Sequence, residues 1–400
     1  MKIGVLAEEK IPADKRVPLT PKQCHILLDT YSSIDIFVMS SKNRCYSDDD
    51  YSENGINVVH DLSDCDVLIG VKEVPLESLI ANKTYLFFSH TIKSQPYNRK
   101  LLISMIENNI TMIDYEAIRD EKGRRILGFG RFAGIVGAYN GFLAYGIKSQ
   151  KYMLKPAHNC EDRGEMEYEL DKINLTNEKI IITGKGRVGN GVLEIMNKLN
   201  IREVSKSEFL NDIFGEAVFV HLDSLDYNVR VDGLVLNKSD FYDNPELYKS
   251  LFSDFANKAD IFIAGHYYSS GSPYLLTEED IRNPDFRLKV VADISCDIKG
   301  PIASTLRSST ISNPIYGYDK KKAKETNIHD ENSIAVMAVD NLPCELPKDS
   351  SAFFGMELSE KVLPSLIISD SKHIIEYATI CKNYDLTSSF EYLRDYIEGN

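Results

Sequence analysis

The chain has 400 residues and no apolar run approaching the ~20 needed to cross a bilayer, so no membrane span is expected. It has no CxxC spacing. Its seven cysteines, Cys24, Cys45, Cys65, Cys160, Cys296, Cys344 and Cys381, are scattered and odd in number. That excludes a disulfide framework or a zinc ribbon and fits reduced packing residues of a cytoplasmic protein. Positive charge is also short: 46 Lys and Arg stand against 60 Asp and Glu, a net charge of −14, which argues against nucleic acid or an anionic membrane as partner. No repeat of fixed period and no low-complexity segment is present. The opening MKIGVLAEEK lacks an h-region and a cleavage site and reads as a strand rather than a signal peptide. What remains is a folded globular composition, 43% hydrophobic and 26% charged. Single cores stop growing near ~250–300 residues, so at least two domains are expected.

The first third alternates short apolar runs (KIGVLAE, IDIFVMSS, DCDVLIGVK, TYLFFSHT, TMIDYEAI) with amphipathic segments, the pattern of βα units feeding a mainly parallel sheet. Thr20, framed by Pro18 and Pro21, is expected to cap a helix. Residues 129–145 are rich in small side chains and are expected to form a closely packed helix joining two domains. A polar stretch, 158–175, precedes Lys179-Ile-Ile-Ile-Thr-Gly184, and the later runs AVFVHLDS, DIFIAGHYY, KVVADIS and IAVMAVDN read as strands of a second sheet. Past Pro343 the pattern turns helical and is expected to return to the first domain. The expected class is α/β, with two Rossmann-like doubly wound domains and a cleft between them. Residues 1–145 plus 335–400 would form a substrate and catalytic domain, and 146–334 a dinucleotide-binding domain.

Gly184-Lys185-Gly186-Arg187-Val188-Gly189 follows an apolar run and opens a helical one, the strand–turn–helix context a phosphate-binding fingerprint requires. The first glycine permits the turn, the second lets backbone approach a pyrophosphate, and the third lets helix pack on strand. A tight turn without a ligand is the plainer reading. If the next strand ends at Val204, Ser205 and Lys206 lie where a 2′-phosphate would, which suits NADP. If the loop turns differently, Glu208 reaches the ribose and NAD is favoured. The reading leans to NADP over NAD.

Ligands of open α/β sheets bind beyond the carboxyl ends of strands. Lys72, His90 and Glu116 each directly follow an apolar run, with Arg16, Arg124 and Arg125 in nearby turns. Any one of these reads alone as a solvated charge or a structural histidine, but together they mark a site. A histidine and a lysine of lowered pKa suit proton transfer near neutrality, and guanidinium forks suit carboxylates. His158, Cys160 and Glu161 read as linker, and no metal site is expected.

The motifs KRVPLTP, IGVKEVP, FFSHTIKSQ, DYEAIRDEKGRRILGFGRFAG, ITGKGRVGNG, VVADISCDIKGPIASTLRSSTI and VMAVDNLPCELPKDSSAFFG resemble the lysine-forming saccharopine dehydrogenase family. They resemble more closely the lysine–2-oxoglutarate reductase domain of the bifunctional lysine-degrading enzyme, within the alanine dehydrogenase and transhydrogenase fold group. The likeness runs in order from about residue 3 to about residue 365. It implies condensation of L-lysine with 2-oxoglutarate to an imine and its reduction by NAD(P)H to saccharopine, or the reverse. It further implies that Lys72 and His90 form the acid–base pair, that Glu116 modulates them, and that Arg16 and Arg125 bind substrate carboxylates. Gly184, Gly186, Arg187, Val188 and Gly189 would hold the dinucleotide, Asp293 and Ser295 would border it, and Asp340 would stand near its nicotinamide end. Full-length bifunctional enzymes carry a second catalytic domain, so a chain stopping at Asn400 is expected to perform one of the two steps. The Ser205–Lys206 pair replaces the acid of NAD-preferring members. Partners are expected to be small molecules, with oligomeric state open. An alanine-dehydrogenase-like or other opine-type enzyme is one alternative, and a catalytically silent nucleotide-binding regulator is another. The retained charges weigh against the silent reading, because buried charge costs stability. With a net charge of −14, Arg16, Arg125 and Lys72 must then form a local positive pocket.

Overall fold

The apolar runs of the first third become six strands: β1 (Lys2–Val5), β2 (Asp35–Met39), β3 (Asn57–Val59), β4 (Val67–Ile69), β5 (Thr84–Phe87) and β6 (Thr111–Asp114). Ten follow in the middle of the chain: β7 (Lys179–Thr183), β8 (Arg202–Glu203), β9 (Val218–Leu222), β10 (Asn228–Arg230), β11 (Tyr248–Ser250), β12 (Ile261–Ala264), β13 (Val290–Asp293), β14 (Ile315–Asp319), β15 (Lys324–Thr326) and β16 (Ser333–Met337). Two close the chain, β17 (Thr379–Lys382) and β18 (Asp385–Leu386). This computed structural model describes residues 1–10, 13–269 and 271–399.

One unit comprises Met1–Phe129 and Pro347–Asn400. Its sheet runs β18-β17-β6-β5-β4-β1-β2-β3, parallel from β6 to β3. Side chains alternate between two cores, as the two-residue period of a strand requires. Ile3, Val5, Val67, Ile69, Leu86 and Ile113 face one core. Leu68, Tyr85, Phe87 and Met112 face the other. Both faces being covered, these strands read as unbroken apolar runs. The helix Pro21–Thr30 starts where expected: Thr20 Oγ1 accepts from Gln23 N at 3.3 Å while Gln23 Oε1 accepts from Thr20 N at 2.9 Å. The C-terminal segment returns to this unit as a helix, Pro347–Lys361, that adds Phe354 and Leu358 to the first core. It also adds β17, antiparallel to β6, which the sequence did not suggest.

The other unit is Gly130–Leu346. Its sheet runs β15-β14-β16-β13-β12-β7-β9-β8, parallel from β16 to β8 with β14 and β15 antiparallel at the edge. Each sheet is thus an eight-stranded, parallel-rich, Rossmann-like layer. The boundaries differ from the expected 145/146 and 334/335. The glycine-rich helix Gly130–Ser149 packs on the helix Arg187–Lys198 so closely that a Cβ on Gly134 would lie 2.0 Å from Val188 O, and one on Gly191 2.1 Å from Arg131 O. Its small residues therefore belong wholly to the second unit, as does β16, which lies beside β13. Among the described residues no helix is long and apolar enough to cross a membrane.

Candidate active site

In the first unit, the neighbouring strands β1, β4, β5 and β6 each carry ionisable residues past their carboxyl ends. After β1 comes Glu8, whose buried carboxyl reaches to the next strand. Its Oε1 accepts from Val71 N at 2.5 Å and its Oε2 from Lys72 N at 2.9 Å. Burial pushes its pKa up to about 8, overriding the two amide bonds. Arg16 follows, buried and held bidentately by Asp14 (Nε to Oδ1 2.9 Å, Nη2 to Oδ2 2.5 Å), with its guanidinium 4.1 Å from the centre of the Phe129 ring. Past β4, burial lowers the pKa of Lys72, and the positive charges of Arg16 and Lys10 lower it further. Lys10 itself pairs with Glu73 at 2.7 Å.

Past β5, His90 adopts the left-handed conformation (φ 55°), unusual for a residue with a side chain. Its Nδ1 lies 3.7 Å from Glu116 Oε2, and Arg125 Nη1 lies 3.1 Å from Glu116 Oε1. His90 first, then Arg125 against the opposing effect of burial, hold Glu116 down to about 2, so it is ionised throughout the working range. Asp114, the last residue of β6, accepts from Glu116 N at 2.7 Å and from Ser89 N at 3.3 Å, and Ser89 Oγ also bonds it. Phe88 underlies this group, stacked with His90 and 5.3 Å below the Arg125 guanidinium. The five expected residues therefore lie along one sheet edge in two knots, Lys72 with Arg16 and His90 with Glu116 and Arg125. Glu73 bridges them electrostatically: against burial, Lys10 and His90 lower its pKa. Sequence reasoning overlooked Glu8, Asp14 and Asp114. Glu8 directly follows an apolar run and Asp114 ends one, so the rule that selected Lys72 would have selected them too.

In the second unit, the three glycines have distinct tasks. Gly184 has φ +89°, and a Cβ there would lie 2.4 Å from Gly265 O. A Cβ on Gly189 would lie 1.7 Å from Gly184 O, whereas one on Gly186 would meet nothing within 4 Å. A strained turn, a tight strand–helix seam and an open backbone at the start of a 12-residue helix are what a dinucleotide pyrophosphate needs, so the residues fit that group. Arg187 opens the helix, exposed, and Val188 is half-buried behind the turn.

The ribose end corrects an expectation. The strand beside β7 on this side is β9, not β8, and it ends at Leu222, with Asp223 next, rather than near Val204. Ser205 instead caps the helix Lys206–Asn211 in a reciprocal pair with Glu208, Ser205 N donating to Glu208 Oε2 at 2.8 Å. Lys206 Nζ lies 2.7 Å from Asp226 Oδ1, with Lys185 3.7 Å from Asp226 and Lys238 2.7 Å from Asp223. At the end of β13, Asp293 is buried and accepts from Ser295 N, Ser295 Oγ, Cys296 N and Thr305 Oγ1 at 2.6–3.2 Å, so it shapes the turn that carries Ser295. Asp340 is exposed just past β16. Two histidines that the sequence did not flag bracket the glycine turn. His221 Nε2 lies 2.8 Å from Gly184 O, and His266 Nδ1 lies 2.8 Å from Thr183 Oγ1, its ring kept neutral by burial with a pKa of about 4. His158 faces buried Glu345 at 3.8 Å, and Cys160 Sγ contacts Pro156 O at 3.7 Å; both are structural contacts of the linker.

The chain is similar to several known proteins. Residues 4–136 match the family model described as alanine dehydrogenase/PNT, N-terminal domain. The mitochondrial alpha-aminoadipic semialdehyde synthase of Mus musculus is 30% identical over 450 residues, covering 98% of this chain and 47% of that protein. The chain thus spans about half the length of that relative. The saccharopine dehydrogenase [NAD(+), L-lysine-forming] of Emericella nidulans is 26% identical over 397 residues, covering 92% of this chain and 91% of that protein. Among solved structures, an L-alanine dehydrogenase superposes with TM-score 0.63 at 15% identity, covering 99% of this chain and 100% of that one. A transhydrogenase from Sinorhizobium meliloti gives 0.59 at 14%, covering 97% and 99%. Residues 4–136 thus carry an alanine dehydrogenase/PNT N-terminal domain, and the chain as a whole is similar to saccharopine dehydrogenases and shares the fold of alanine dehydrogenase and transhydrogenase.

Proposed function

We propose that the chain is a pyridine-nucleotide-dependent oxidoreductase that interconverts saccharopine with L-lysine and 2-oxoglutarate. The observation that carries this reading is the set Lys72, His90, Glu116, Arg16 and Arg125 at adjoining strand ends, in a chain similar to lysine-forming saccharopine dehydrogenases over nine tenths of its length. Bound at Gly184–Gly189, a nicotinamide dinucleotide supplies or accepts the hydride. Lys72, its pKa lowered by burial and by neighbouring cations, exchanges a proton with the nitrogen or oxygen of the reacting centre near neutrality. His90 does the same on its side of the site. Glu116 is a fixed anion that stabilises the imidazolium whenever His90 carries the proton. Arg125 and Arg16, set in place by Glu116 and Asp14, supply the positive charge that substrate carboxylates require.

For the cofactor, the lean to NADP rests on Lys185, Lys206 and Lys238 gathered beside Asp223 and Asp226. Asp223, beyond the strand next to β7, is the group that would instead serve the ribose of NAD. The test is oxidation of NADH and NADPH with lysine plus 2-oxoglutarate, beside pyruvate plus ammonia. Turnover confined to the first pair supports the reading. Turnover confined to the second replaces it with an alanine-dehydrogenase-like activity, and dinucleotide binding without any turnover points to a silent regulator.

A further inference from the structure

Glu8 and Asp114 take no part in the proton transfers just described, yet both are buried: Glu8 is 8% exposed and Asp114 fully enclosed. A buried carboxyl is costly unless hydrogen-bonded, so its bonding partners indicate what it is for. We propose that Glu8 and Asp114 are positioning residues, each using its two oxygens as a bracket on the backbone that carries the acid–base residues. The inference rests on the saccharopine reading and deepens it.

The two brackets follow one plan on different strands. Glu8, past β1, spans to the turn after β4, with Oε1 on Val71 N at 2.5 Å and Oε2 on Lys72 N at 2.9 Å. The peptide from which Lys72 projects is thereby tied to the adjacent strand. Asp114, ending β6, gives Oδ1 to Glu116 N at 2.7 Å and Oδ2 to Ser89 N at 3.3 Å and to Ser89 Oγ. Ser89 immediately precedes His90, and Asn98 Nδ2 fixes its carbonyl at 3.0 Å. His90 thus keeps its left-handed backbone because the residue before it is bonded on both sides. Lys72, His90 and Glu116 all depend on one or other carboxylate for the direction of their side chains. Catalysis is sensitive to such placement, since an error of about 1 Å costs on the order of 100-fold in rate.

The Glu8 bracket also responds to pH. The charges of Asp14 and Arg16 act on the carboxyl, which in turn acts on the Tyr115 hydroxyl and accepts the Val71 and Lys72 amides, while Arg16, Lys10, Asp14 and Glu73 act on Lys72. Below about pH 8 Glu8 holds a proton and one oxygen is a poor acceptor; above it both oxygens hold their amides. Ionisation therefore tightens the turn that carries Lys72.

The test compares wild type, Glu8→Gln and Asp114→Asn by kcat and KM across pH, and by the pH dependence of Lys72 acetylation with acetic anhydride, read by mass spectrometry without need of turnover. In Glu8→Gln, kcat is expected to fall by about 10–100-fold with the dissociation constant for reduced dinucleotide unchanged. The Lys72 labelling profile is expected to lose its inflection near pH 8. Asp114→Asn is expected to lower kcat similarly while leaving Lys72 labelling as in wild type. A wild-type Lys72 profile in Glu8→Gln overturns the inference, as does wild-type kcat in both variants. Where Glu8→Gln does not fold, Glu8→Asp, too short to reach both amides, is judged by the same criteria. A wild-type enzyme that labels as described but never turns over lysine with 2-oxoglutarate refutes the functional reading and leaves the bracket judged by labelling alone.

Discussion

A lysine moves protons near neutrality only when something disfavours its charged form. At Lys72 that is chiefly burial, helped by Arg16 and Lys10. Glu116, kept ionised by His90 and Arg125, stands 3.7 Å from the His90 ring. Lys72→Met and His90→Gln are therefore expected to lower kcat by about 10²–10⁴-fold each while circular dichroism and melting temperature stay near wild type. Near-normal turnover in both would remove the acid–base assignment. His266 makes a different prediction. It is neutral in the fold with a pKa of about 4, against 6.5 for the free side chain, so the unfolded chain binds more protons between those values and stability falls as pH drops from 6.5 toward 4. The loss amounts to up to about 3 kcal/mol. His266→Gln should flatten that part of the stability–pH curve measured by urea unfolding; an unchanged slope contradicts it. Lys72, His90 and Glu116 were legible because each follows an apolar run. Asp14, the partner of Arg16, was not, because the demand for a counter-charge arises only once the arginine is buried.

At the scale of elements, the glycine turn separates steric from functional roles. Gly186→Ala has room for its methyl and is expected to leave the melting temperature within a few degrees while weakening dinucleotide binding about tenfold or more. Gly189→Ala drives a methyl into Gly184 O and is expected to destabilise the protein itself, by about 2 kcal/mol or more, in thermal unfolding. Equal stability of the two variants would contradict these roles. The turn was readable in sequence because strand, glycines and helix are contiguous. The strand beside it was not: β9 takes the place next to β7 and puts Asp223 there, a long-range pairing that local pattern does not encode. Lys206 reaches that place from another element, through Asp226. Lys206→Ala should raise KM for NADPH severalfold more than for NADH, and an equal effect on both would remove the basis for preferring NADP. Likewise the helix Gly130–Ser149 is plainly glycine-rich, but its partner, Arg187–Lys198, appears only in three dimensions, which is why the unit boundary falls at Gly130.

For the whole molecule, a net charge of −14 led to the expectation of a local positive pocket made by Arg16, Arg125 and Lys72. The structure shows a more balanced arrangement. Arg16 and Arg125 are matched by Asp14 and Glu116, while Lys72 has burial and neighbouring cations to lower its pKa. Substrate carboxylates would therefore be met by positive groups already oriented by acidic partners, in the manner of a site prepared for proton traffic as well as for anion binding. The most direct measurement of the central claim is steady-state oxidation of NADH and NADPH, followed by absorbance, with lysine plus 2-oxoglutarate against pyruvate plus ammonia and against other amines with 2-oxoglutarate. Dinucleotide oxidation is expected to require lysine and 2-oxoglutarate together and to be lost in Lys72→Met. Oxidation that proceeds without lysine, or that Lys72→Met retains in full, would contradict it.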